Sequence, residues 1–219
     1  MNYLNKEKIE DLEKLYRVNL VNSLSGYKSA NLIATKSKDE ITNVAIFSSV
    51  IHLGSNPPLL GFILRPTSVD RNTYDNLVST QQFTVNHIHK DIIKDAHHTS
   101  AKYDGKISEF NKTDLTEEYK KSFYPPFVKE AKIQIGCKMV NYYFIKENNC
   151  RLIIGEIEHL FYEDNIQQND GWLDLEKAQS VAINGLDAYA ETQLLDRFAY
   201  ARPNEEVTSI TDEKRKPSH

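Results

Sequence analysis

The feature that most constrains this chain is a pair of alternating runs in its second half. From Phe127 to Ile145, the residues Ala131, Ile133, Ile135, Cys137 and Met139 fall on one side, and Lys132, Gln134 and Lys138 on the other. From Arg151 to Tyr162, Ile153, Ile157 and Phe161 share a face. A period of two marks a strand with one face in a core, and a helix cannot produce it. Asn148-Asn149 stands between the runs and supplies turn residues. The two runs predict a long antiparallel hairpin, and the rest of the fold has to be built around it.

Shorter β-like runs precede the hairpin. Ser29 to Lys36 carries Leu32, Ile33 and Ala34; Asn43 to Leu53 is rich in Val, Ile and Phe; Leu59 to Leu64 is a short apolar run. Pro57-Pro58 breaks the ladder between the last two and predicts a stiff loop. Gln82 to His89 reads as a further strand, with Phe83, Val85 and His87 on one side. Helical patterns are few. Residues 5–17 place Ile9, Leu12, Leu15 and Tyr16 on one face, and Thr73 to Val78 reads as a short helix with Thr73 as its N-cap. After Gly171, the spacing of Leu173, Leu175, Ala178, Val181 and Ala182 suggests a helix or capping segment before Gly185-Leu-Asp-Ala-Tyr-Ala190. Many short strands with few helices predict a mainly β barrel or sandwich with helical insertions. The expected organisation is one domain over residues 1–200, with an N-terminal helix and a C-terminal arm, followed by a polar mobile tail over 204–219.

Bulk properties exclude several classes. At 219 residues, with 40% hydrophobic and 26% charged residues, the chain has the balance and length for a substantial core. A formal net charge of -4 gives no basic footprint, which argues against nucleic acid as a partner. No apolar run reaches the roughly 18–20 residues of a membrane helix. The charged stretch Met1 to Glu10 lacks the apolar centre of a signal peptide, so a cytoplasmic address is expected. Cys137 and Cys150 are the only cysteines. They could face each other across the hairpin, but with no export signal they read as free, buried thiols.

The chemistry concentrates between Asn43 and Asn76. A strand ends in two hydroxyls, Ser48 and Ser49. A proline-stiffened loop then leads to a strand ending in Arg65, and Arg71, Thr73 and Asn76 follow at the start of the short helix. Hydroxyls, guanidinium groups and free helix N–H groups converging on one point suit a phosphate monoester. Taken singly, each has a plainer reading: a strand end and turn for the serines and prolines, a helix cap for Thr73 and Asn76, a solvated strand end for Arg65. His87, His89, His97 and His98 could suggest metal ligands, but no carboxylate or thiolate stands at a recognisable ligand spacing.

The ordered series resembles the flavin reductase-like FMN-binding split-barrel family. It comprises Asn43-Val-Ala…Phe47-Ser-Ser49, Pro57-Pro-Leu…Gly61-Phe62, Thr73-x-x-Asn76-Leu77 and Gln82-Phe-Thr-Val-Asn86. It continues in Ala96-His-His-Thr-Ser-Ala101 with Tyr103, Ser108-Glu-Phe110, and Pro125-Pro-Phe-Val-Lys-Glu130 with Cys137. The resemblance covers roughly residues 17–190 and implies a Greek-key split β-barrel. It also implies FMN as cofactor, NAD(P)H as a transient co-substrate, a small-molecule acceptor and a homodimer. By the same resemblance, Asn43, Ala45 and Phe47 line the isoalloxazine, and Ser48 and Ser49 meet the ribityl chain or phosphate. Arg65, Thr73 and Asn76 hold the phosphate end; His97, Ser100 and Phe110 close the pocket over the ring. Where relatives commonly carry Lys-Asp-Thr, this chain has Arg71-Asn-Thr73, which keeps a cation and a hydroxyl.

No acid–base triad and no Gly-x-Gly-x-x-Gly is present, which fits chemistry carried by a flavin. Two other functions share the barrel: a non-catalytic flavin-binding store or sensor, and an FMN-dependent oxidase similar to pyridoxamine phosphate oxidases, which fits the Ser-Ser…Pro-Pro series less well. The segment Arg197 to Pro203, with Tyr200 and Arg202, reads either as a dimer-wrapping arm or lid or as a surface segment leading into the tail.

Overall fold

The computed structural model describes residues 1–66 and 72–211. Arg71 and positions 212–219 of the expected tail lie outside the described residues. The chain starts with helices α1 (Lys6–Glu10) and α2 (Lys14–Leu24), then strands β1 (Lys28–Ser29), β2 (Asn31–Lys36), β3 (Thr42–Phe47), β4 (Ile51–Ser55) and β5 (Pro58–Leu64). Next come α3 (Asn72–Thr80), β6 (Gln82–His87), α4 (Ile93–His98), and the short strands β7 (Glu117–Glu118) and β8 (Phe127–Val128). The expected hairpin follows as β9 (Ile133–Ile145) and β10 (Cys150–Tyr162), and the chain returns through β11 (Val181–Asn184) and β12 (Ala188–Glu191).

Seven strands form one antiparallel sheet in the order β3-β2-β6-β9-β10-β5-β4. β3 and β4 follow one another in the chain yet lie at opposite edges. Laid flat, six inter-strand gaps would separate those edges by about 29 Å. Residues 48–50 join them and can span only about 14 Å at full stretch. The sheet must therefore curl into a barrel, and the connection marks its seam. Continuing the β4–β5 register backward from Ile51↔Gly61 brings Ser49 opposite Ile63. There a side chain, not the backbone, makes both bonds: Ser49 Oγ accepts the Ile63 N–H at 3.0 Å and donates to its carbonyl at 3.2 Å. Phe47 packs edge-on against Phe62 at 5.1 Å beside it. The seam is tacked by side chains and is not zipped by a strand ladder, which makes this a split barrel.

Two buried clusters lie on the two faces of the sheet. Inside the barrel are Ile33, Phe62, Leu64, Phe83, Val85, Cys137 and Ile153. On the outer face, Leu32, Ala34 and Val44 pack against Ile88, Ala96, Phe110 and Val181. All six residues of β2 are buried, so its sequence is a continuous run without alternation. Gly155 leaves room for the fully buried Phe83: a Cβ there would stand 2.4 Å from Phe83 Cζ.

Several boundaries differ from the sequence reading. The expected helix over 5–17 is two helices, because Glu13 turns back to accept the Leu15 and Tyr16 N–H groups and starts α2. The expected strand from Phe127 is divided: β8 pairs with β7, and a turn closed by the Ala131 N–H on the Val128 carbonyl precedes β9. Pro57-Pro58 does not interrupt the ladder: Asn56 and Pro57 make the β4–β5 hairpin turn, and Pro58 opens β5 opposite Ser55. Helix α3 begins at Asn72, so Thr73 sits in its first turn and not at the cap. Among the described residues no helix follows Gly171; left-handed backbone at Gln179 and Gly185 breaks the segment, and β11 and β12 form a hairpin whose first strand pairs with β1. Cys137 lies opposite Ile157 and Cys150 opposite Ile145, so the two thiols never face each other, and both are free and buried.

Candidate functional site at the edge of β3

Strand β3 is a sheet edge, and its outward backbone groups decide what can dock there. The Val44 N–H points away from β2 and donates to Glu109 Oε2 at 3.0 Å. Antiparallel pairing alternates, so Ile46 also points outward, whereas Ala45 and Phe47 bond to Ile33 and Asn31 of β2. Beyond Val44, no backbone bond among the described residues closes the edge at Ile46 and Ser48. Both residues are half-buried. A shielded backbone donor and acceptor without a partner among the described residues are open to a planar ligand with a complementary polar edge.

One end of this edge is organised by α3. Asn43 Nδ2 donates to Thr73 Oγ1 at 3.2 Å, and Asn76 Nδ2 donates to Thr35 Oγ1 at 3.0 Å. Thr35 and Asn43 are cross-strand partners, so the four side chains tie the first turns of α3 to one rung of the sheet. Thr73 and Asn76 are each only 6% exposed. They spend one hydrogen bond apiece on the sheet, which fixes the free N–H groups of the helix start. The O–H of Thr73 remains a donor, because its oxygen is the acceptor in the Asn43 bond. Arg65 is exposed at the end of β5, and Ser48 is half-buried beside the seam.

The remaining expected residues divide. His97 and Ser100 are exposed, at α4 and just past it, with His97 Nδ1 3.0 Å from Tyr189 Oη. Burial, with Asp187 nearby, pushes the Tyr189 hydroxyl up to about 12, which keeps it neutral beside the imidazole. Phe110 is not at the surface. It lies in the outer-face core with Val44, where it backs β3 from behind. The other histidines have structural partners or burial: His89 Nε2 meets the Glu130 carbonyl at 3.0 Å, His98 meets Tyr103 at 3.0 Å, and burial pushes His87 down to about 4. Among the described residues no three His, Cys, Asp or Glu side chains converge as metal ligands.

At the β3 edge and beside His97, sequence reasoning missed Glu109 and Tyr189. Tyr189 lies in β12, whose strand character was hidden by the apparent helical spacing before it. Glu109 stood inside the quoted Ser108-Glu-Phe110, but nothing in the sequence shows that its carboxylate clamps a strand edge. Burial pushes the Glu109 carboxyl up, opposed by the Val44 N–H it accepts. Folding thus favours its protonated form, so its contribution is greatest at low pH and is lost as pH rises through the raised folded-state value. Glu109→Gln keeps an acceptor for Val44 without a buried charge. At pH 7 it should be more stable than wild type by on the order of 1 kcal/mol, with a flatter dependence of urea midpoint on pH.

A large groove of about 870 Å³ opens elsewhere, lined by Lys120, Gln134, Phe161 and Asp164 among others. Lys120 is already matched there by Glu118 at 2.9 Å and Gln134 at 2.7 Å. It brings none of the expected site residues together.

A curled antiparallel sheet, split along a side-chain seam beside an open strand edge, defines a split-barrel protein. The family described as the flavin reductase like domain matches residues 24–175, and the chain belongs to that family. The match spans β1 to β10 and leaves out β11 and β12. A protein of Shewanella frigidimarina, assigned as a flavin reductase with a split barrel domain, superposes with a TM-score of 0.89 at 45% identity, covering 92% of this chain and 100% of its own. Component B of nitrilotriacetate monooxygenase from Bacillus cereus shares the fold, with a TM-score of 0.79 at 19% identity over 90% of this chain and 98% of its own. An uncharacterised protein of Aquifex aeolicus is 28% identical over 183 residues, which is 83% of this chain and 91% of that protein.

Proposed function

We propose that this chain is an FMN-dependent oxidoreductase in which NAD(P)H reduces the flavin and a small molecule receives the electrons. The observation that carries this reading is the half-buried edge of β3 at Ile46 and Ser48, which no backbone bond closes among the described residues. It is flanked by the Asn43–Thr73 and Asn76–Thr35 bonds at one end and by the Ser49 seam at the other. These groups fit a flavin: a flat ring needs a polar strand edge, and a phosphorylated side chain needs hydroxyls, a helix start and a cation.

In this reading Asn43, Ala45 and Phe47 line the ring, and the outward backbone groups of Ile46 meet its polar edge. Ser48 serves the ribityl chain, while Ser49 holds the seam that positions it. Arg65, Thr73 and Asn76 define the phosphate end, Thr73 and Asn76 largely by fixing α3. His97 and Ser100 border the open side, and Phe110 supports β3 from behind. The bound flavin supplies hydride acceptance and donation; the chain supplies orientation, hydrogen bonds and exclusion of water. A homodimer and a cytoplasmic address belong to the same proposal. The dimer is supported by exposed apolar residues on α2, among them Leu15, Tyr16 and Leu24; the address is supported by the two free cysteines.

Anaerobic mixing of the FMN-loaded protein with NADH and with NADPH tests the reading. Bleaching of the flavin absorbance by one of them within seconds is the expected result. A protein that binds FMN but is not bleached by either would be a store or sensor, and one that binds no flavin would overturn the site itself.

A further inference from the structure

Arg151 is a half-buried cation, and among the described residues no carboxylate forms an ion pair with it. It lies near the start of β10, opposite Leu64 of β5 and Phe144 of β9. Its guanidinium carbon is 4.5 Å from the ring centre of Tyr74 and 5.6 Å from that of Phe144. Tyr74 is itself braced edge-on by Tyr142 at 6.3 Å. The Arg151 Nε is buried without a hydrogen-bond partner, and no carboxylate is paired with the group among the described residues. Two aromatic faces hold the guanidinium in place, and its in-plane Nε–H is left without a hydrogen bond among the described residues. A half-buried charge that a protein keeps in this state costs stability unless a ligand completes it.

Its position says which ligand. Leu64, its β5 partner, directly precedes Arg65; Tyr74, its stacking partner, directly follows Thr73 in the first turn of α3. Arg151 therefore stands beside both ends of the connection between β5 and α3, the same corner that Arg65 and Thr73 occupy.

We propose that Arg151 binds a phosphate monoester, with Tyr74 and Phe144 holding its guanidinium plane for a fork-like contact to phosphate oxygens. The inference rests on the flavin reading above. The phosphate is that of FMN, or the 2′-phosphate of NADPH, since the two present the same chemistry.

Binding of FMN, riboflavin, NADPH and NADH to wild type, Arg151→Gln and Arg151→Lys distinguishes them, with fluorescence for affinity and thermal unfolding as the check on folding. If the flavin phosphate is the ligand, Arg151→Gln should weaken FMN about 10- to 100-fold and leave riboflavin unchanged. If the dinucleotide phosphate is the ligand, FMN should hold and NADPH should weaken about tenfold relative to NADH. Should Arg151→Gln not fold, Arg151→Lys carries the same comparison, because lysine keeps the charge but not the fork and lowers the same ratio by a smaller factor. FMN-to-riboflavin and NADPH-to-NADH ratios within twofold of wild type would overturn the proposal alone. A wild-type protein that binds neither FMN nor riboflavin would overturn it together with the flavin reading.

Discussion

Gly155→Ala is expected to lower the unfolding free energy by about 3 kcal/mol, near the top of the range for overpacking a dense core. The new methyl carbon would stand 2.4 Å and 2.8 Å from two carbons of the Phe83 ring and 3.3 Å from Cys137 Cβ. Phe83 cannot yield, since it is fully buried and its ring packs edge-on against Phe62 at 5.4 Å. Gly155 also lies at a shift in the β9–β10 register, so relief by moving the backbone would disturb the central hairpin. For a chain of this length the melting temperature should fall by about 6–12 °C. Gly136→Ala is the matched comparison. Its nearest contacts are at 3.2 Å and 3.3 Å, to His159 and Phe123, so a smaller loss of about 1 kcal/mol is expected. Equal melting temperatures for Gly155→Ala and wild type would show that Phe83 has a second position available.

Arg65→Ala and Thr73→Ala should each weaken FMN binding by about 1–3 kcal/mol, roughly 5- to 150-fold. The two losses arise differently. Arg65 is exposed and would contribute charge, so its effect should shrink as salt is raised. Thr73 is buried and bonded to Asn43, so its removal also frees the Asn43 amide and loosens α3 on the sheet. That variant should therefore lose thermal stability as well as affinity, and its affinity loss should be nearly independent of salt. Isothermal titration at two salt concentrations separates them. Unchanged affinity in both would place the phosphate away from this corner.

Much of the fold was legible because alternation is a local property. The β9–β10 hairpin could be read from Ile133, Ile135 and Cys137 against Lys132 and Gln134, with Asn149 in left-handed backbone at its turn. Reading failed where local pattern and tertiary context disagree. The apolar spacing from Leu173 to Ala182 fits a helical face, yet those residues serve different neighbours: Ala178 and Leu173 pack inside the barrel, Val181 on the outer cluster. Beyond the β9–β10 hairpin the strand order was not legible, because β2 pairs with β6 some fifty residues onward and no short-range signal records it.

For the site, the residue types between Asn43 and Asn76 were visible, but their directions were not. Asn43, Thr73 and Asn76 come together through bonds that Asn43 makes to Thr73 and Asn76 to Thr35. Phe110 turned inward because a 3-10 turn from Glu109 to Lys112 lays it against β3. Tyr189 and Arg151 were invisible for a common reason. Each acquires its role from a partner far away in the chain, His97 for one and Tyr74 for the other.

The seam at Ser49 carries a consequence for how the barrel breathes. The strands of its middle are held by pairings distant in sequence, such as Thr84 with Gly136. The seam joins residues only fourteen positions apart, through one hydroxyl. Closing a short loop costs little entropy, and two hydrogen bonds are cheap to break. The barrel can therefore part at the seam as a local event, with the central strands still paired and the core still dry. A ligand lying along β3 would then act as a latch. In hydrogen exchange, the amide of Ile63 should report its occupancy more sensitively than any amide of the central hairpin.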